Sequence, residues 1–232
     1  MLNTKYDILK NMVIYLYGKD SYRRKNKLQN LISTYEDKHG KALDVSRFDL
    51  SEDGEEWKEV KDYLKQPSMF QESKVAVIKE AEEVTKKGWI KTLKKYLDSK
   101  NVFILISEDR EKPLKKFKFL TEPPVKNQKF EKLKGKKLKN FLNKKIKERN
   151  LRLSKKAWKF LFLYLKQSDY SSWLAVNEIK KIDKAGFENP IGLKNLKDII
   201  CWRPQDKMFN ETRKLFKDNS LISQVETLER LI

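Results

Sequence analysis

Short apolar runs alternate with longer segments of helical periodicity through the first half of the chain. Residues 13–17 (VIYLY) are continuously apolar and end at Gly18, the pattern of a buried strand. Residues 21–38 follow as a basic amphipathic helix with Leu28, Leu31, Ile32 and Tyr35 on one face. Residues 44–50 (DVSRFDL) alternate with period two and predict a second strand. A helix over 55–65 turns Trp57, Val60, Tyr63 and Leu64 inward, and residues 74–78 (KVAVI) form a third strand. Residues 86–97 predict a helix carrying Trp89, Ile90, Leu93, Tyr96 and Leu97. Residues 102–106 (VFILI) are wholly apolar, as a central parallel strand should be, and 125–130 supply a fifth strand. This alternation argues an α/β fold: a parallel five-stranded sheet with helices packed on its faces.

After Pro123-Pro124 the texture changes. A helix over 136–149 places Leu138, Phe141, Leu142 and Ile146 on one stripe. Ser154 is an N-cap candidate for a helix carrying Ala157, Phe160, Leu161, Tyr164 and Leu165. Ser171 or Ser172 would cap the next, with Leu174, Ile179 and Ile182. A last pair, 205–217 and 220–232, has apolar stripes that either pack back on this helical domain or expect another subunit. The expected organisation is an α/β domain over 1–124, a three-helix domain over 125–204, and terminal helices over 205–232.

Composition narrows the class. A chain of 232 residues can bury one good core or two small ones. With only 7 glycines and 6 prolines, a sandwich or barrel of many tight turns is disfavoured, and the 37% of charged residues suits long helices. The 53 Lys+Arg against 33 Asp+Glu leave a net charge of +20, which either attracts a polyanion, usually nucleic acid, or reflects a lysine-biased genome. The excess is steepest over residues 126–149, where eleven Lys/Arg meet two Asp/Glu. Lys134, Lys136, Lys137, Lys139, Lys144 and Lys145 are therefore candidate phosphate contacts, or else a solvated helix face. The single Cys201 excludes an internal disulfide, and no Cys/His cluster offers a zinc site. His39, before Gly40, reads as a surface residue at a helix end. Without a signal-peptide h-region or an apolar run of membrane-spanning length, a cytoplasmic protein with no membrane contact is expected.

A strand, a glycine and a helix are also the setting of a phosphate-binding loop, and Gly18-Lys19 invites the comparison. Such a loop needs a glycine five residues earlier, where Val13 stands, and Ser or Thr after the lysine, where Asp20 stands. The bulky residues from Ile14 to Tyr17 prevent a phosphate cradle, and Asp20 supplies the negative charge that a helix N-terminus would draw from a nucleotide. Beyond the third strand Lys79 occupies the place of a metal-binding acid, followed by Glu80. A lysine there repels magnesium. No cofactor is expected.

Tyr15-Leu16-Tyr17-Gly18-Lys19-Asp20-Ser21-Tyr22 is similar to the opening of the delta subunit of the bacterial DNA polymerase III clamp loader, a family that the chain resembles. Trp57 through Ile78 is similar to its helix, clamp-binding element and following strand. Leu151-Arg152-Leu153-Ser154, Ala157, Trp173, Leu174, Glu178 and Ile179 resemble its small helical domain. The resemblance implies a degenerate AAA+ (P-loop-like) domain with a helical lid, and a non-catalytic subunit of a polymerase assembly. It also implies a third, collar domain, of which residues 205–232 would be a truncated start, so that the collar is expected to be absent or incomplete.

Within that frame Gln66-Pro67-Ser68-Met69-Phe70 has the form of a clamp-binding motif: Gln66, the spacer Ser68 after Pro67, then Met69 and Phe70. Two large apolar residues in so polar a connection are either core plugs or an exposed wedge, and the delta-like register favours the wedge. Met fills an irregular hollow and Phe brings a rigid area, each anchor contributing roughly 2 kcal/mol or more in a desolvated pocket. The implied partners are the sliding clamp (beta), the ATPase and delta-prime types of loader subunit, and, weakly, primer-template DNA. The implied action is to open the clamp during DNA replication without hydrolysing ATP. Two other classes compete: a basic nucleic-acid-binding protein indifferent to Met69 and Phe70, and an active ATPase, against which Val13, Asp20 and Lys79 argue.

Overall fold

Period-two alternation sorts the strand residues onto two faces of one sheet, and the helices cover both. The computed structural model describes residues 13–40, 44–51, 56–66, 73–99 and 101–200. Cys201 and the helices expected at 205–217 and 220–232 lie outside them, as does the side chain of His39. The first unit carries strands β1 (Val13–Tyr17), β2 (Asp44–Asp49), β3 (Lys74–Lys79), β4 (Val102–Glu108) and β5 (Lys126–Lys129). They form one sheet in the order β2-β3-β4-β1-β5, with every pairing parallel. Helices α1 (Ser21–His39), α2 (Trp57–Lys65) and α3 (Lys87–Lys95) connect them.

One face buries Ile14, Leu16, Val75, Val77, Phe103 and Leu105 under Leu28, Leu31, Ile32 and Tyr35 of α1. The opposite face buries Tyr15, Ala76, Ile78, Ile104 and Ile106 under Val60 and Leu64 of α2 and Trp89 and Leu93 of α3. Successive strand residues thus alternate between two cores, which is why β1, β3 and β4 read as unbroken apolar runs. The strand β2 alternates because it is an edge, with Phe48 partly buried and Arg47 and Asp49 exposed. At the other edge β5 is entirely exposed along its four residues, and buried Val125 and Phe130 anchor its two ends.

The chain divides into two units, Met1–Lys132 and Leu133–Ile232. Because β5 belongs to the sheet, the first unit extends beyond the Pro123-Pro124 pair and does not stop at residue 124. The second unit is helical: α4 (Gly135–Lys147), α5 (Lys155–Lys166), α6 (Ser171–Lys184) and α7 (Leu193–Ile199). Its core joins Leu138, Leu142, Ile146, Ala157, Leu161, Leu165, Ile179, Ile182 and Leu196. Ser154 caps α5 as expected, its hydroxyl accepting from the Ala157 N–H at 3.3 Å. The cap of α6 differs: Tyr170 is the N-cap residue, and Ser171 and Ser172 are buried in the first turn. The sequence predicts three helices here, and α7 is a fourth among the described residues, with Asn195 Oδ1 accepting from the Gly192 N–H.

Candidate functional site

At the end of β1, the turn into α1 has the place of a phosphate-binding loop and different wiring. The Gly18 N–H donates to the Glu108 carbonyl at 3.2 Å and the Asp20 N–H to the Phe130 carbonyl at 3.0 Å. The Phe130 N–H returns a bond to the Tyr17 carbonyl at 2.7 Å. Gly18 has φ +120°, and a Cβ there would collide with the Phe130 carbonyl, so the two backbones touch where a cradle would open. Asp20 is the N-cap of α1, its Oδ1 accepting from the Arg23 N–H at 3.1 Å. Lys19 donates to the Asp109 carbonyl at 2.7 Å. Arg24, 8% exposed, lies across the same turn: its Nη1 donates to the Gly18 carbonyl and its Nε to Ser107 Oγ at 3.0 Å. The amides that would hold a phosphate are bonded within the chain, and a guanidinium fills the neighbouring space.

The ends of β3 and β4 hold a carboxyl cluster. Lys79 pairs with Asp49 at 3.0 Å, and Glu80, in the left-handed region at φ +51°, accepts from the Asp109 N–H at 3.0 Å. Glu82 is buried, accepting from the Tyr15 hydroxyl at 2.5 Å and the Leu114 N–H at 2.6 Å. Glu108, 0% exposed, accepts from the Glu82 N–H at 3.1 Å. Burial, then the carboxyl groups of Glu80 and Glu82, pushes the Glu108 carboxyl up to about 9. Burial and Glu82 likewise push Tyr15 up. Among the described residues no group of three His, Cys, Asp or Glu is placed to hold a metal ion.

The segment that the sequence suggests as a clamp-binding motif begins where α2 stops. Gln66 is the exposed C-cap residue, already extended at ψ 132°, and its N–H donates to the Asp62 carbonyl at 3.0 Å. Pro67, Ser68, Met69 and Phe70 lie outside the described residues. The first residue of β3 is Lys74, 3% exposed. Its ammonium donates to the carbonyls of Tyr63 and Gln66 and sits 4.6 Å from the centre of the Tyr63 ring. In the sequence Lys74 stands only as the start of a strand; the one signal of a further role is a lysine opening an apolar run.

The lysine-rich helix is built as its stripe predicts. Leu138, Leu142 and Ile146 are buried, while Lys134, Lys136, Lys137, Lys139 and Lys144 are exposed. Lys145 is partly buried and pairs with Glu148 at 2.7 Å, and Lys139 lies 5.3 Å from the Phe162 ring centre.

Known proteins show similarity in both sequence and fold. Residues 15–125 match the family of the DNA polymerase III delta subunit. No curated protein matches the chain. Among solved structures, the Bacillus subtilis DNA clamp loader delta protein superposes with a TM-score of 0.54 at 21% identity, over 97% of this chain and 71% of that one. The Thermotoga maritima RuvB Holliday junction branch migration motor gives 0.55 at 9%, over 83% of this chain and 63% of its own. Domain III of the Thermotoga maritima replication initiation protein DnaA gives 0.50 at 15%, over 87% of this chain and 95% of its own. At these identities the likeness shows the fold alone.

Proposed function

With residues 15–125 matching the delta subunit family, we propose that the chain acts in clamp loading: it binds a ring-shaped sliding clamp through Gln66, Ser68, Met69 and Phe70 and helps to open it, without hydrolysing ATP. The observation that carries this reading is the family match across the unit containing the motif, joined to a β1–α1 turn whose amides are bonded internally. The motif has the chemistry for the task. Gln66 ends a helix on an exposed, extended residue, so an amide able to bond a pocket rim precedes two apolar anchors by a short spacer.

The Lys19 position argues for the same division of labour. In a nucleotide-binding loop this lysine meets phosphate; here it is bonded to Asp109, and Asp20 closes the helix end. Energy for clamp opening must then come from ATPase partners, and this subunit supplies binding. The exposed lysines of α4 suit a second, weaker contact with the phosphates of primer-template DNA.

The test is equilibrium binding of the purified chain to its cognate sliding clamp. Met69→Ala with Phe70→Ala should weaken the complex at least about a hundredfold, since two desolvated anchors of roughly 2 kcal/mol each are removed. Far-UV dichroism of the double variant should match the parent. Unchanged clamp affinity sinks the proposal, and tight DNA binding with no clamp binding would favour a nucleic-acid-binding protein instead.

A further inference from the structure

Lys74 has a placement that strand pairing does not explain. In a strand whose other buried residues, Val75 to Ile78, are aliphatic, it opens β3 beside Val102 of β4 and opposite Asp44 of β2, and it is almost wholly buried. Its side chain leaves on the same face as Ala76 and Ile78, the face covered by α2 and α3. Burying an ammonium group is unfavourable unless its donors are satisfied. Among the described residues two backbone groups accept from it, the Tyr63 and Gln66 carbonyls at the C-terminal end of α2. Those carbonyls have no partner within the helix, and the helix dipole favours a cation there. The Tyr63 ring lies against the ammonium, and the Tyr63 hydroxyl bonds the Asp44 and Val75 carbonyls at 3.2 and 3.3 Å. Lysine and tyrosine therefore bolt the end of α2 to the start of β2 and β3.

The consequence concerns Gln66. It is both the last described residue before the apolar pair and one of the two groups Lys74 holds. We propose that Lys74 is the positioning residue of the clamp motif, tying the Gln66 carbonyl to the first residue of β3 and so fixing the point from which Met69 and Phe70 are presented. The inference rests on the clamp-binding reading above and goes beyond it by naming the group that holds the motif ready. A fixed origin lowers the entropy lost when a short segment seats in a pocket, and that gain appears chiefly as slower dissociation. A lysine that merely capped α2 would affect folding stability and leave binding by folded molecules alone.

The experiment compares the full chain with K74M, K74R and K74Q in binding kinetics against the cognate sliding clamp, alongside the Met69/Phe70 double alanine variant and a thermal melt of each. K74M should bind about tenfold more weakly, mainly through faster dissociation, with native dichroism. K74R, which keeps a cationic donor of similar reach, should recover most of that affinity. If K74M fails to fold, K74Q, an amide too short to bridge both carbonyls, takes its place with the same expectation. A free peptide of residues 66–71 should compete equally well against parent and variant. A K74M (or K74Q) chain that binds as the parent does, while the double alanine variant loses binding, overturns the role of Lys74 and leaves the clamp motif standing. A double alanine variant that still binds overturns both.

Discussion

Glu108 ends a strand that is buried along its whole length, and it is the one acid in that run. Its carboxyl is pushed up to about 9 by burial and by Glu80 and Glu82, whereas an unfolded glutamate titrates near ~4.3. The folded chain therefore binds more protons than the unfolded chain between those values. The sign follows: this group's contribution to stability is full below about pH 4.3 and falls as pH rises towards about 9, by up to ~1.4 kcal/mol per pH unit. Glu108→Gln keeps a neutral hydrogen-bonding group and removes the titration. Urea unfolding between pH 5 and 8 should show the parent losing stability with pH relative to the variant. Parallel curves would exclude a protonated Glu108. In the sequence, Val13, Asp20 and Lys79 stand out as departures from a phosphate-binding site, and the structure places Asp20 at the N-cap of α1. Arg24 and Glu108 do not stand out there, because their partners lie far along the chain: Arg24 meets Ser107 across 83 positions. Polar contacts at that separation leave no periodic trace.

At the scale of elements, hydrophobic pattern is a good guide wherever burial is two-sided or forms a stripe. The runs VIYLY, KVAVI and VFILI are β1, β3 and β4, and the stripe of Leu28, Leu31, Ile32 and Tyr35 faces the sheet as α1. The pattern fails where an element is held by its neighbours: α7 is seven residues long and has Leu196 as its one fully buried residue. A helix that short gains little from its own periodicity. The Ser171/Ser172 cap expected from sequence is displaced because a serine can lie buried in a first turn as readily as cap it, and only the backbone of Tyr170 decides. For α4, pattern and charge say separate things. Leu138, Leu142 and Ile146 explain its packing, and nothing in that packing requires Lys134, Lys136, Lys137 and Lys144 to be basic. If they meet DNA phosphates, replacing all four by glutamine should weaken primer-template binding and flatten its salt dependence. The slope of log K against log salt should drop by roughly 0.9 for each phosphate that is no longer neutralised. An unchanged slope in a fluorescence-anisotropy titration would make them a solvated face.

For the whole molecule, the informative feature is that the chain is two units with separate cores, two on the faces of the sheet in the first and one among the helices of the second. Separate cores make a single all-or-none transition unnecessary, so heat should resolve two components in the calorimetric trace. Any ligand that binds only the native form raises the stability of the unit it engages, by about 2.7 kcal/mol when present at a hundredfold excess over its Kd. The proposed clamp motif lies in Met1–Lys132, so on that proposal saturating cognate clamp should raise the transition of that unit. Millimolar Mg-ATP should raise neither, because the β1–α1 amides are already bonded to Glu108 and Phe130 and Arg24 covers the turn. The two ligands thus separate clamp binding from nucleotide binding. A shift with Mg-ATP would mean that nucleotide binds despite the closed turn, and the proposed division of labour would fail even if the clamp also bound. A shift with clamp alone is the outcome that the clamp-loading proposal requires.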